Sequence, residues 1–543
     1  MSSGTPNASL SVNASIPCVL FEDEHLLVVN KPAGLNTHAP APYAGEGIYD
    51  WLRHREPRWA DLAIVHRLDK ETSGVLVFSK TPMASRSLTR QFAERQVRKE
   101  YILATDKPVK SRSATVVSRL VRAGERYVSR PGGLEKDRAE TRFRLRIARE
   151  DHTFLEADPV TGRTHQIRVH AADQGFPILG DTLYGGSPAA RLFLHSEALT
   201  LKHPVTSAPM TFRVEADFSD DVRLGLRSAL IDPRTTNAYR LLHGASDGRA
   251  AWYVDRFGDY LLSQSEEPLS AAQHERLDEW MRQWSLRGVY HKALLRRVRQ
   301  ATTDESGPRL IAGEAAPEAF AVRENGVQYE IRFGEGYSVG LFLDQRENRR
   351  RFLTRHVGCG FPCCASALRR PEVLNTFAYT CGFSVCAAQS GARVTSLDLS
   401  KKYLEWGRRN FLLNGLQPEE HEFIYGDAVE WLRRLKRKNR MFDLVVLDPP
   451  TFSQSKPFGV FQVEKHLGRL VRECLPILKR EGILFVSTNS ARWPPEAFLE
   501  TIKETMAISG RRIAHEHYAP QPTDFPVSRK EPAYLKTVWL RIE

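Results

Sequence analysis

Residues 65–80, VHRLDKETSGVLVFSK, change character halfway along. The first half, His66 to Gly74, is charged and turn-prone. The second, Val75 to Phe78, is an apolar run of strand formers, and Gly74 marks the junction where a loop enters a strand. A cluster of His, Arg, Asp, Lys and Glu at the mouth of a buried strand is costly to desolvate unless the charges pair or face a cleft. Asp69 is therefore either a catalytic carboxylate or one half of an ion pair, and these residues alone leave both open.

The flanking segments read as a sheet with few helices. Leu26 to Val29 is a short buried strand, followed by the breaker-rich loop Asn30-Lys31-Pro32-Ala33-Gly34. Ser85 to Arg98 has helical periodicity and a basic face of Arg86, Arg90, Arg95 and Arg98, suited to solvation or to phosphate contact. Lys99 to Ala104 is a strand carrying Tyr101. Short alternating runs between Ala114 and Thr153 indicate mainly antiparallel pairing. Gly162 to His170 opens a helix presenting Thr164, Arg168 and Ala171 along one side. Pro177 to Gly186 is turn-rich, and Leu192 to Ser196 is a further strand.

These stretches resemble the pseudouridine synthases of the RluA type. The matching pieces are NKPAGL (30–35), HRLDKETSG (66–74), KEYILA (99–104), GRTHQIRVH (162–170), GDTLYGG (180–186) and LHSEALTLKHPVT (194–206). The resemblance covers roughly residues 17–215. It implies an α+β fold with a mixed, mainly antiparallel sheet around a cleft. Asp69 is then the catalytic aspartate, Tyr101 the active-site tyrosine and Arg168 the partner of Asp69, with His66 and Arg67 beside a flipped-out uridine. The chemistry suits these residue types. Isomerising uridine breaks a C–N bond and forms a C–C bond without redox change, so no cofactor is expected. An ionised carboxylate can act as nucleophile or base. A guanidinium keeps that carboxylate charged and aimed, and a tyrosine can stack on the base and help remove the proton at carbon-5. The N-terminal RNA-binding module often found in this family is expected to be absent here.

The chain has 543 residues, a formal net charge of +13, 41% hydrophobic and 26% charged residues. That length calls for several cores, and the positive excess suits a polyanionic partner such as RNA. No apolar run is long enough for a membrane span, and residues 1–16 read as a disordered tail without a signal pattern, so a cytoplasmic protein is expected. The seven cysteines are Cys18, Cys359, Cys363, Cys364, Cys381, Cys386 and Cys474. An odd number in so large a chain suggests reduced thiols. Cys359, Cys363 and Cys364 lack a matching Cys or His pair, so a surface loop is expected there and no metal site.

Beyond a linker expected at 216–235, residues 236–335 read as a small α+β domain. It holds strands around turns at Ser246-Asp247-Gly248 and Phe257-Gly258-Asp259, a helix from Ala271 to Leu286, a polar loop from Arg296 to Pro308, and a hairpin of Gly326–Phe333 with Tyr337–Leu343. Asp344 to Arg350 starts a helix. From Pro371 strands and helices alternate: Val373–Phe377, Val394–Asp398, Phe423–Tyr425, Asp443–Leu447 and Gly482–Ser487 are strands. This alternation implies a parallel sheet covered on both faces, with ligands at the carboxyl ends of its strands. The loop after its first strand is not GxGxxG, so a dinucleotide fingerprint is missing. Asp398, Asp427 and Asp448 end successive strands.

That spacing resembles a class I S-adenosylmethionine-dependent methyltransferase, a Rossmann-like α/β fold expected over 336–543. More closely, residues 237–543 resemble the ribosomal large-subunit RNA methyltransferases of the RlmI and RlmK type. LFLDQRENRR, NTFAYTCGFSVCAA, GDAVEWL, FDLVVLDPPTFSQSK and DFPVSRKEPAYLK carry the likeness. It implies that S-adenosylmethionine is the cofactor, with Asp398 on its ribose and Asp427 by its adenine. Asn375, Phe377 and Tyr379 would line the methionine pocket, Gln345 and Arg346 would close the site, and Asp448 and Pro449 would sit between donor and target base. Methylating carbon-5 of cytosine requires a cysteine nucleophile, and the segment Phe485 to Ser490 contains none. DPPTF with Asn489 fits transfer to N7 of guanine better. The expected whole is a bifunctional RNA-modifying enzyme acting on 23S rRNA or an assembling large subunit. The alternatives are one active half, on rRNA or tRNA, beside an RNA-positioning module; 5-methylcytosine formation; or a non-catalytic ribosome-assembly factor.

Overall fold

The computed structural model describes residues 16–131, 138–218, 221–294, 307–336, 338–363, 370–455 and 459–543. The tail to residue 15, most of the polar loop 296–308, Tyr337 and Cys364 lie outside the described residues. Among the described residues, no helix is long and apolar enough to cross a membrane.

The strand Ser73–Ser79 is buried along its whole length. Leu26–Lys31 pairs antiparallel on one side of it, and Leu194–Lys202 pairs parallel on the other. From this centre an eleven-stranded sheet spreads through Arg98–Thr105, Thr153–Pro159, Arg138–Ala148, Ser113–Ala123 and Arg126–Arg130. All of its long pairings except that one parallel contact are antiparallel, as expected. Gly74 is required at the strand entry. Its φ is +116°, and a Cβ there would lie 2.2 Å from the Ser196 carbonyl oxygen. The helix expected over 85–98 is Pro82–Ala93, capped by the Thr81 side chain on the amide of Ala84. It ends early because Arg95 takes a positive φ and the chain turns so that Val97 is buried. Arg98 already belongs to the next strand, so Arg95 and Arg98 leave the basic helical face.

The segment expected as a linker contains the helix Val222–Leu230. Leu226 and Leu230 enter the core of the first sheet. Buried Arg227 forks onto Asp247 at 3.1 and 2.7 Å and donates to the Asp524 carbonyl at 2.7 Å. Next comes a five-stranded sheet in chain order, from Ala238–His243 to Arg309–Gly313. It is covered by the helix Ala271–Gln283, whose Ser270 and Gln273 form a capping box. The expected hairpin is replaced. Val327–Ile331 pairs with the preceding strand Phe320–Glu324, and residues 343–345 form a single 3₁₀ turn.

The last sheet runs, in spatial order, Glu422–Tyr425, Arg393–Asp398, Glu372–Thr376, Phe442–Leu447, Leu478–Thr488, Lys536–Ile542 and Ile513–Pro520. The first five are parallel and the final two pairings antiparallel. Helices between the strands bury apolar cores on both faces. The order reverses at Glu372–Thr376, and such a switch point places a crevice at the strand ends.

Candidate active sites

The first site lies where HRLD meets GRTHQIRVH. Asp69 is partly exposed, and Arg168 Nη1 stands 3.8 Å from its Oδ2. The rest of the Arg168 fork is committed to Asp181, with Nε and Nη2 each 2.7 Å from one carboxylate oxygen. Asp181 is almost wholly buried, and against the cost of burial its hydrogen bonds hold Arg168 firmly protonated. Arg168 is thus a cation fixed by one aspartate and shared with another. Gly180 makes this possible: with φ at +83°, a Cβ would fall 1.8 Å from the Arg191 carbonyl oxygen.

The helix carrying Arg168 is Gln166–Asp173, so Thr164 lies in the preceding turn and not on the helical face. The other polar residues of the motif tie it to the sheet. Gln166 donates to the Glu140 carbonyl at 2.9 Å and to Thr141 Oγ1 at 3.0 Å. His170 bonds Thr141 and Ser118 at 2.8 and 2.9 Å. On the opposite wall, the Nζ of Lys31 donates to the carbonyls of Pro32, Leu35 and Lys70. This lysine is fully buried and burial lowers its pKa to about 7. It pins the residue next to Asp69 to the NKPAGL loop.

Tyr101 lies opposite Ser196 in the register of the central strands. Burial, opposed by a hydrogen bond with Ser196, pushes its phenol up to about 12, which suits stacking better than proton abstraction. His66 accepts from the Val77 amide at 3.1 Å and stacks on Phe92, and burial lowers its pKa to about 3. It therefore buttresses the strand as a neutral ring, while Arg67 is exposed. The sequence reading missed Asp181 and His165. His165 has a φ of +55°, its Nε2 lies 4.0 Å from Asp69 Oδ2, and its Nδ1 bonds Tyr184 Oη at 2.7 Å. A left-handed, non-glycine residue beside a cleft carboxylate marks a constrained position, but its dihedral is invisible in the string GRTHQIR.

The second site lies along the strand ends of the parallel sheet. Asp398 accepts the amides of Tyr379 and Ser400, both at 2.8 Å, and burial raises its pKa. Asp427 caps the helix Ala428–Arg437 through the Glu430 amide. Phe377, Tyr379 and Cys381 alternate positive φ values of 57°, 48° and 64°, so the loop after the first strand is held in a sparsely populated conformation. Asn375 is buried and donates to Ser384 Oγ at 2.9 Å. Phe342, Leu399 and Tyr425 expose apolar side chains close in sequence to Gln345, Asp398 and Asp427.

Burial raises the pKa of Asp448 to about 6. Gln345 Nε2 approaches it at 3.4 Å while donating to Ser487 Oγ at 2.8 Å. Pro449 is buried beside it, and Thr451 hydrogen-bonds Asn489. Arg346, expected to close the cofactor site, instead spends its fork on buried Asp524 at 2.7 and 2.6 Å. Cys381 and Cys386 are buried. Among the described residues no group of His, Cys, Asp and Glu is arranged to hold a metal.

Two family models match the chain. Residues 25–173 match RNA pseudouridylate synthase, and residues 272–538 match S-adenosylmethionine-dependent methyltransferase. A ribosomal large subunit pseudouridine synthase C of Yersinia pestis is 39% identical over 225 residues, covering 39% of this chain and 69% of the relative. A ribosomal RNA large subunit methyltransferase of Deinococcus radiodurans is 33% identical over 336 residues, covering 60% of this chain and 78% of the relative. The chain belongs to both families, a pseudouridine synthase followed by an S-adenosylmethionine-dependent methyltransferase, and so unites an isomerase with a transferase.

The geometry makes Asp181 the residue that aims Arg168. Replacing Asp181 with Ala frees two donors of the guanidinium, and a misplaced charge beside a reacting group costs about a hundredfold in rate. Asp181→Ala is expected to lower pseudouridine formation on that scale, measured on RNA by mass spectrometry after chemical derivatisation, while leaving S-adenosylmethionine binding by calorimetry unchanged.

Proposed function

We propose that the protein is a cytoplasmic enzyme that converts a uridine to pseudouridine and methylates N7 of a guanine, both in large-subunit ribosomal RNA. The names of the relatives support that substrate, and the net charge of +13 suits it. The observation that carries the first activity is the pairing of partly exposed Asp69 with Arg168 at 3.8 Å, with Tyr101 on one of the central strands of the same sheet. Asp69 attacks or deprotonates the flipped uridine, Arg168 aims it, and Tyr101 stacks on the base. Arg67, exposed at the mouth, fills the gap left in the RNA or holds a phosphate.

S-adenosylmethionine supplies an electrophilic methyl group to the second site. Asp398 and Asp427 bind its ribose and adenine, Asn375, Phe377 and Tyr379 shape its methionine pocket, and Gln345 orients Asp448. N7 of guanine already presents a lone pair, so the chain needs only to position it, a role for Asp448, Pro449 and Asn489. The thiol chemistry supports this choice. Carbon-5 transfer needs a thiolate, whereas burial pushes the thiols of Cys381 and Cys386 up to about 12.

Asp69→Asn is expected to abolish pseudouridine formation while methylation persists. Nucleoside mass spectrometry of rRNA treated with the wild type is expected to yield 7-methylguanosine; 5-methylcytidine in its place would refute the N7 assignment. The raised pKa of Asp448 sets a pH dependence. An acid whose folded pKa is above its ordinary value stabilises the fold below that ordinary value and loses this contribution as pH rises through about 6. A sulfonium cation prefers the ionised form, so cofactor affinity is expected to strengthen between about pH 5 and pH 7. Asp448→Asn should flatten that profile in titration calorimetry.

A further inference from the structure

The helix Arg346–Thr354 begins one residue after Gln345, and its outer face meets the synthase helix Ile48–Arg55. Arg55 Nη1 lies 3.3 and 3.2 Å from the two carboxylate oxygens of Glu347. Glu56 pairs with buried Arg350. His356 bonds the Arg53 carbonyl at 2.8 Å, and the His54 ring packs edge-on against His517 at 4.5 Å. Tyr43 meets Tyr518 in the same manner at 4.9 Å. Although burial opposes it, Arg55, with Arg346, Arg350 and Arg351, holds Glu347 down at about 2, so this contact is made by full charges.

The inner side of the same helix leads into the methyltransferase centre. Asn348 Nδ2 donates to Gln345 Oε1 at 2.8 Å, and Gln345 in turn reaches Ser487 and Asp448. We propose that the synthase module is a structural part of the methyltransferase centre, with Arg55 and Glu56 as positioning residues for methyl transfer that act through Glu347 and Arg350 on Gln345. This rests on the methyltransferase reading above and adds that one enzyme is completed by the other. Two independent enzymes on one chain need only a flexible tether, whereas here partly buried charges of the first, Arg55 and Glu56, pair with Glu347 and Arg350 on a helix of the second.

The test uses the full chain and follows both products on unmodified large-subunit rRNA. Arg55→Ala is expected to raise the KM for S-adenosylmethionine, or lower kcat for methyl transfer, about tenfold. Pseudouridine formation in the same sample should stay within about twofold of wild type, because Arg55 lies outside the Asp69 cleft. Arg55→Lys should recover most of the loss, since a single nitrogen makes the contact with both oxygens. Glu56→Gln should reproduce the selective defect more mildly. Wild-type kcat and KM for methyl transfer in Arg55→Ala would overturn the proposal. Parallel loss of both activities in Arg55→Ala and Glu56→Gln would do so too, by reducing these residues to general folding contacts. A wild-type chain that forms no methylated base would instead fail the proposed function, before any variant is compared.

Discussion

Four buried arginines on one short helix set the terms for the second half of this protein. Arg346, Arg349, Arg350 and Arg351 lie on Arg346–Thr354 and are each almost fully buried. A buried guanidinium left without its counter-charge costs about 3–5 kcal/mol, so partners must arrive from elsewhere. Asp524 comes from the C-terminal segment, Glu324 from the hairpin strand Phe320–Glu324, and Glu56 from the synthase. Arg351 reaches Asn348 and His517. Segments far apart in the chain are thereby required to assemble around one helix.

That requirement explains how both centres are held. In the methyltransferase the helix fixes Gln345, and Gln345 fixes Asp448. In the synthase the same logic operates with fewer charges. Lys31 gathers three carbonyls behind the HRLD loop, and Asp181 fixes the cation that faces Asp69. In each case a group at the proposed centre is oriented by a buried polar partner, and burial strengthens that partner's grip by lowering the local dielectric. The helix Val222–Leu230 extends the pattern, since Arg227 touches both Asp247 and the Asp524 carbonyl.

Much of this was legible in the sequence where local pattern decides structure. The short runs at 75–78 and 444–447, rich in β-branched residues, and the segment at 373–376 are strands as read. Asp69 and Arg168 stand 3.8 Å apart, and Asp448 follows the end of the strand Phe442–Leu447. What was not legible depends on contacts between distant residues. RENRRR is read as the start of a helix, but its burial is not legible, because the acids that meet Arg346, Arg349 and Arg350 lie far off in sequence. The hairpin partner of Val327–Ile331 was assigned to the wrong side because the turn at Asn325-Gly326 competes with a later apolar run. The helix at 222–230 was hidden by its charge, although Leu226 and Leu230 are spaced one turn apart. Asp181 lies within the motif GDTLYGG, but its pairing with Arg168 follows from the tertiary fold alone.

The central claim is that the arginine helix fastens both enzymes into one cooperative body, and calorimetry of the full chain with increasing S-adenosylmethionine tests it most directly. A ligand that binds only the native state raises the temperature of whatever unit unfolds with its site. The account predicts one heat-absorption peak that moves upward as a whole, with heat inactivation of pseudouridine formation shifting alongside it. Two peaks, of which the cofactor moves only one while pseudouridine formation decays as before, would contradict it.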